Sequence, residues 1–202
     1  MGDYGRIEVI LGNMYSGKTP ALIDRMGRYR AEGEVVQIFK PALDDRFGLS
    51  KVQSHNQAHT EAYDVSDIGE LLKKLQSDVE VIGIEEAQFF PGTIIPFCVD
   101  QANSGRIVVA AALYHDFRGQ PFPFKDSART VFDLAAIADE VSVLTSKCEY
   151  PKNGTRKKCG QPAPWVQRFI NGEIAPKDSP TIMVGAHDSY SVRCRQHFVR
   201  YD

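Results

Sequence analysis

Ile7-Glu8-Val9-Ile10-Leu11 runs straight into Gly12-Asn13-Met14-Tyr15-Ser16-Gly17-Lys18-Thr19, and this junction constrains the fold more than any other stretch. The second part matches Gly-x-x-x-x-Gly-Lys-Thr, the phosphate-binding P-loop pattern. Gly12 and Gly17 permit backbone angles closed to other residues, so successive N–H groups can turn into one concavity and hold phosphate oxygens. Lys18 brings positive charge to the β- and γ-phosphates, and the Thr19 hydroxyl is a hard oxygen ligand suited to Mg²⁺. Leu22, Met26 and Tyr29 share one face at helical spacing. A helix is therefore expected from Lys18 to about Ala31, ended by Gly33, its positive end aimed at the same phosphates. A solvated Gly-Lys turn is the plain alternative, and the flanking strand and helix weigh against it.

A chain of 202 residues accommodates one medium domain, or one domain with a small appendage. Hydrophobic residues at 43% and charged residues at 25% are ordinary for a globular protein. The net charge of −2 provides no basic field for nucleic acid. No apolar run approaches the ~20 residues that span a bilayer, and the first residues lack the pattern of a signal peptide. A cytoplasmic location is expected. In a reducing compartment the four cysteines suit metal binding or burial better than disulfides.

Val35 to Phe39 reads as a second strand, followed by a long loop from Ala42 to His59. This loop carries Asp44-Asp45-Arg46 and Ser54-His55, polar groups for a phosphate or metal, or simply a solvated turn. Asp67 with Glu70 resembles a capping box ahead of a helical stripe of Ile68, Leu71, Leu72 and Leu75. Val81-Ile82-Gly83-Ile84 suits a strand buried on both faces of a parallel sheet. It ends in Glu85-Glu86-Ala87-Gln88-Phe89-Phe90, placing two acids where such sheets put their ligands. One acid would help hold Mg²⁺ and its neighbour would act as a general base. An alternating strand would aim the two in different directions. A helix from Pro91 to about Asn103 includes Cys98, most simply a core residue. Ile107 to Ala112 and Val141 to Leu144 read as strands around a helix from Ala128 to Ala138. Alternating strands and helices predict an α/β fold, a mostly parallel sheet with helices on both faces.

The character of the chain changes near Thr145, dividing it into a nucleotide-binding domain over 1–145 and a small module over 146–202. Cys148, Cys159, Cys194 and His197 suit a closed tetrahedral structural zinc site. The ten residues between Cys148 and Cys159 exceed the usual spacing. Two unrelated buried thiols with a C-terminal cysteine are the alternative. The basic run Lys152 to Lys158 is then a zinc-loop tip or a solvated hairpin. Gly172 to Asp188 reads as a long loop, a lid anchored at its base by zinc.

These motifs, in their order, resemble the class II thymidine kinases, the zinc-containing type, from Gly5 to about Phe198. The resemblance rests on the P-loop, Lys40-Pro41 with Asp44 and Arg46, Glu-Ala-Gln-Phe-Phe, and Asp116-Phe117-Arg118-Gly119 with Pro121-Phe122. It continues through Cys159-Gly160, Gln167-Arg168, Tyr190 and Cys-Arg-Gln-His-Phe. It implies transfer of the γ-phosphoryl group of ATP to the 5′-hydroxyl of thymidine, and usually of deoxyuridine. By position, Glu86 matches the general base; Gly12, Asn13, Met14, Tyr15, Ser16, Gly17, Lys18 and Thr19 hold the donor phosphates, with Asp44 and Arg46 nearby. Thr19 and Glu85 match the Mg²⁺ site. Met14, Phe89, Leu113, Phe117, Val166, Met183 and Tyr190 match the nucleoside pocket, and the loop from Gly172 to Asp188 matches the lasso that reads the thymine edge. A homotetramer, inhibited by thymidine triphosphate at the acceptor site, is implied as well.

The chain departs from the family at several points. Glu85 replaces the usual aspartate, Val166 a threonine facing the base, and Leu113-Tyr114-His115-Asp116 a Leu-Asp-x-Asp stretch. The first zinc pair carries an insertion and the lasso is longer. Three alternatives remain open: a kinase with shifted nucleoside preference, a nucleotide-binding regulator without catalysis, and a P-loop ATPase using its zinc module on nucleic acid.

Overall fold

The computed structural model describes residues 4–42, 62–152, 157–182 and 190–201. Six strands form one parallel sheet: β1 (Arg6–Gly12), β2 (Val36–Pro41), β3 (Ala62–Val65), β4 (Val81–Ile84), β5 (Ile107–Leu113) and β6 (Glu140–Leu144). Their spatial order is β3-β2-β4-β5-β1-β6. Because every pairing is parallel, all carboxyl ends lie along one edge. Gly12 pairs with Leu113 on one side and Leu144 on the other, so the phosphate loop leaves the sheet between β5 and the edge strand β6.

The continuous apolar character of these strands has its cause in two covered faces. Ile10, Ile38, Val81, Ile107, Val109 and Ala111 pack under α1 (Lys18–Glu32) through Leu22, Met26 and Tyr29. The alternate residues Val9, Leu11, Ile82, Ile84, Val108 and Ala110 pack on the opposite face. That face is covered by α2 (Ile68–Lys74), α3 (Ile94–Asn103) and the short α4 (Val131–Ala135). One buried charge interrupts the apolar run of β1. Glu8 is 2% exposed and accepts from Arg6, Arg25 and the Tyr29 hydroxyl, which fastens α1 to β1.

The parallel sheet and its two-sided cover match the expectation, with local differences. α1 runs one residue further, to Glu32, and Gly33 closes it in the left-handed region at φ 100°. α4 is five residues long and held by a Thr130–Asp133 capping box. At α2, Asp67 caps the Glu70 N–H, but the Glu70 carboxylate accepts from the N–H of Ser66, one residue earlier than a capping box requires. β3 falls where no strand was expected, because Ala62-Tyr63-Asp64-Val65 has little apolar pattern at a sheet edge. Most of the 42–59 loop, with Asp44, Arg46, Ser54 and His55, lies outside the described residues.

Beyond Thr145 the strands are antiparallel. β7 (Ser146–Lys147) pairs with β8 (Pro162–Ala163), and β9 (Trp165–Ile170) lies between β10 (Glu173–Ile174) and β11 (Tyr190–Arg193). Their apolar cluster is separate and small: Cys148, Ala163, Val166, Val192 and Cys194, with Met14, Cys159 and Tyr190 against it.

Candidate active site and metal centre

The loop between β1 and α1 takes its shape from two left-handed residues, Tyr15 at φ 61° and Gly17 at φ 89°. Gly12 matters for space instead of backbone angle: a Cβ there would sit 2.3 Å from Ser16 Oγ. No side chain caps the first turn of α1, and no acid lies in it. Its N–H groups and positive end therefore remain for an anion. Lys18 is buried, with Nζ donating to the Asn13 carbonyl at 3.0 Å. Burial pushes its ammonium below the usual lysine range, against the pull of Glu86 and Glu85. Ser16 Oγ is buried with no hydrogen-bond partner among the described residues. A desolvated cation, an orphaned hydroxyl and uncapped amides fit a polyphosphate.

Glu85 and Glu86 follow β4 at the same edge and part company there. The Thr19 hydroxyl donates to Glu85 Oε1 at 2.7 Å. Burial raises the Glu85 carboxyl above its ordinary value, partly offset by this bond. Two hard oxygens around a carboxylate short of solvation fit a Mg²⁺ ion, in spite of the longer glutamate arm. Glu86 takes a different partner because its backbone is left-handed, at φ 48°, opening a 3₁₀ turn over Ala87–Phe89. The difference is thus made by a turn, not by strand alternation as expected. Gln88 Nε2 donates to Glu86 Oε2 at 2.5 Å, while its Oε1 accepts from the Leu113 N–H at 3.0 Å. With both ends of the buried amide used, its orientation is set by partners. Gln88 lay inside a quoted motif, yet only the fold reveals what it holds.

The residues expected around the nucleoside divide into groups. Leu113 and Phe89 pack on the main core, Phe89 edge-on to Phe122. Met14, Val166 and Tyr190 gather on the small cluster beside the cysteines. Phe117 is only 3% exposed. The Arg118 and Arg168 guanidiniums lie 4.1 and 4.4 Å from its ring centroid, both in cation–π contact with it. Arg118 also donates to Asp116, the Thr181 hydroxyl and the carbonyls of Lys177 and Ser179. Arg168 donates to the Tyr190 hydroxyl and to the carbonyls of Pro180 and Thr181. The two arginines grip successive carbonyls of the 172–182 segment, a job for two planar forks. Neither was assigned a role from sequence, although both stood in quoted motifs. Met183 and the rest of that loop, like Asp44 and Arg46, lie outside the described residues.

The cysteine–histidine quartet does converge. The ligand atoms of Cys148, Cys159, Cys194 and His197 all lie within 4.8 Å of one another. His197 Nδ1 is 3.6 Å from Cys148 Sγ and 3.3 Å from Cys194 Sγ, and the Cys159 and Cys194 sulfurs are 4.0 Å apart. Tetrahedral zinc at ordinary Zn–S and Zn–N lengths sets such edges at about 3.5–3.8 Å, so the quartet fits zinc. The long Cys148–Cys159 spacing is absorbed by a hairpin. Its rungs are Cys148 N–H to the Gln161 carbonyl, Gly160 N–H to Cys148, Cys159 N–H to Tyr150, and Lys152 N–H to Lys157. Residues 153–156 of the basic run lie outside the described residues. The Tyr150 ring stacks on His197 at 4.1 Å and steadies the imidazole. Burial raises the Cys194 thiol, but the N–H groups of Gln196 and His197 bring it net below the ordinary thiol range. Cys98 is buried in the main core, its thiol pushed up to about 12 by burial, as suits an inert packing residue.

An anion cradle, two adjacent acids and an appended thiol–imidazole centre define a P-loop phosphotransferase with a structural metal module. Residues 5–198 match the family described as Thymidine kinase, and the chain belongs to the thymidine kinase family. It is 41% identical over 194 residues to a protein named Thymidine kinase from Pyrobaculum aerophilum, covering 95% of this chain and 97% of that one.

Proposed function

We propose that this chain transfers the γ-phosphoryl group of ATP to the 5′-hydroxyl of thymidine, and of deoxyuridine, in pyrimidine nucleotide salvage. The observation that carries the reading is the pair of acids beside Lys18 with different partners, Glu85 bonded to Thr19 and Glu86 to Gln88. Glu85 thereby serves the metal side of the donor phosphates, and Glu86, also within the field of Lys18, stands ready for the hydroxyl that attacks them.

Lys18, Ser16 and the backbone of Gly12 to Thr19 hold the donor phosphates, joined by Asp44 and Arg46 on the family resemblance. Thr19 and Glu85 would hold Mg²⁺, which neutralises phosphate charge when bound. Glu86, held by Gln88, accepts the proton of the 5′-hydroxyl as its oxygen bonds to the γ-phosphorus. The bond from that phosphorus to the bridging oxygen breaks, and ADP leaves with the electron pair. Met14, Phe89, Leu113, Phe117, Val166 and Tyr190 face the nucleoside, joined by Met183 on the family resemblance. Cys148, Cys159, Cys194 and His197 would hold a structural zinc, since four protein ligands would leave no open position for catalysis.

On the family resemblance the protein works as a cytoplasmic homotetramer with thymidine triphosphate as inhibitor, and divides at about Thr145 into the two domains expected from sequence. No helix among the described residues is long and apolar enough to cross a membrane. The test is phosphate transfer from Mg²⁺-ATP to thymidine, deoxyuridine, deoxycytidine, deoxyadenosine, deoxyguanosine and uridine. Preferential formation of thymidine 5′-monophosphate supports the reading. Transfer to another nucleoside would move attention to Val166, which is buried and offers the base no hydrogen bond. No transfer, with ATP bound, would leave a nucleotide-binding regulator.

A further inference from the structure

Asn13 is the second residue of the phosphate loop, yet its side-chain amide is spent on Ala163 and Ser146. It is 1% exposed. Nδ2 donates to the Ala163 carbonyl at 2.5 Å, and Oδ1 accepts from the Ser146 N–H at 3.2 Å. Ser146 and Ala163 are directly paired residues of β7 and β8. One amide therefore meets both strands of that ladder, donor to carbonyl and acceptor to N–H, as a further peptide unit would. Strands of two residues are marginal alone, so an added rung matters. The Ser146 hydroxyl reaches the Met14 carbonyl at 2.6 Å, closer than Asn13 Oδ1 at 2.9 Å, so its proton fastens the next residue of the loop. The Met14 side chain packs on the cluster of Ala163, Val166, Cys148 and Cys194. Downstream of Ala163, the Tyr114 hydroxyl, just beyond Leu113, donates to the Pro164 carbonyl at 2.8 Å, two residues before Val166.

We infer that Asn13 and Ser146 are positioning residues that couple the ATP site to the nucleoside site: ordering the Ala163–Val166 wall around a nucleoside also orders the phosphate loop. The inference rests on the thymidine kinase reading above. A ligand that orders a shared element lowers the ordering cost of the second ligand, and such coupling is reciprocal.

The experiment is calorimetric titration of the zinc-loaded protein with a non-hydrolysable ATP analogue, with and without saturating thymidine. In the unaltered protein thymidine should tighten analogue binding by about fivefold or more. In Ser146→Ala, which removes one hydroxyl that touches neither ligand, the factor should fall below about twofold. Thymidine affinity alone should change less than the coupling does. Lys147→Ala, an exposed neighbour on the same strand, should keep the full factor. Asn13→Ala should abolish coupling if it folds; Ser146→Ala decides the matter if it does not. Equal coupling in Ser146→Ala and the unaltered protein, or none in the unaltered protein, overturns the inference. If thymidine is phosphorylated normally in that case, the proposed function stands while the coupling falls. If thymidine neither binds nor reacts, both fall.

Discussion

The Thr19 hydroxyl and the Glu85 carboxylate meet at 2.7 Å, joining the first turn of α1 to the end of β4 across the intervening β5. A glutamate reaches this hydroxyl where the family usually has the shorter aspartate, so the extra methylene is used in bridging the gap. Glu85→Gln should leave nucleoside binding intact and raise the Mg²⁺ concentration for half-maximal rate by about tenfold, since one charged oxygen ligand is lost. Rate measured against Mg²⁺ at fixed ATP tests this. An unchanged Mg²⁺ requirement would remove Glu85 from the metal site.

Glu86→Gln should retain ATP binding and lose about 10²- to 10⁴-fold in kcat, the usual contribution of a general base. Gln88→Leu keeps the carboxylate but removes the amide that holds it, leaving the Leu113 N–H unpaired. Its kcat should fall by about tenfold, with the KM for ATP within about twofold of the original. Near-normal turnover in Glu86→Gln would falsify its role as base.

Lys18 is poised at a cost to the ligand-free fold. Burial lowers its pKa, so between that lowered value and the ordinary 10.5 the unfolded chain binds more protons than the native one. This contribution to stability therefore rises with pH through that window, and the penalty is fully present below it. Lys18→Met removes the penalty and the pH-dependent rise together. Near neutral pH its ligand-free melting midpoint should be raised by about 2–4 °C, corresponding to roughly 1 kcal/mol, while ATP no longer stabilises it. Thermal melts across pH, with and without ATP, give the answer; a midpoint several degrees lower would contradict it.

Elemental analysis should find about one zinc per chain, lost in Cys159→Ser and in Cys194→Ser. The parallel sheet has its own core, so these variants should keep far-ultraviolet circular dichroism of a folded α/β domain. A well-folded original protein containing no zinc would end the assignment.

Arg118→Lys preserves charge and discards the fork. One ammonium cannot serve Asp116, Lys177, Ser179 and Thr181 together. The 172–182 segment should loosen, raising the KM for thymidine by about tenfold with a smaller change in kcat, as expected when ground-state binding is lost. Steady-state kinetics against thymidine distinguish this from an unchanged KM, which would separate the segment from nucleoside binding.

What could be read from residues alone was what local chemistry dictates. The phosphate loop depends on glycines, a lysine and a threonine at fixed spacing, and the strands around it depend on runs of β-branched side chains. The four metal ligands were visible by residue type, because few other side chains bind zinc. Features that join distant segments were not visible. Glu85 meets Thr19 from 66 residues away, while its neighbour Glu86 is left-handed and meets Gln88. Asn13 reads as a phosphate-loop residue until the fold brings Ser146 and Ala163 against it. Phe117 reads as a nucleoside contact, and the fold adds what its motif does not show, the guanidiniums of Arg118 and Arg168 against its ring. Spacing and side-chain type determine how a segment folds on itself; which buried donor meets which acceptor depends on chain closure over separations from 25 residues (Gln88–Leu113) to 150 (Asn13–Ala163), and that was decided only by the tertiary structure.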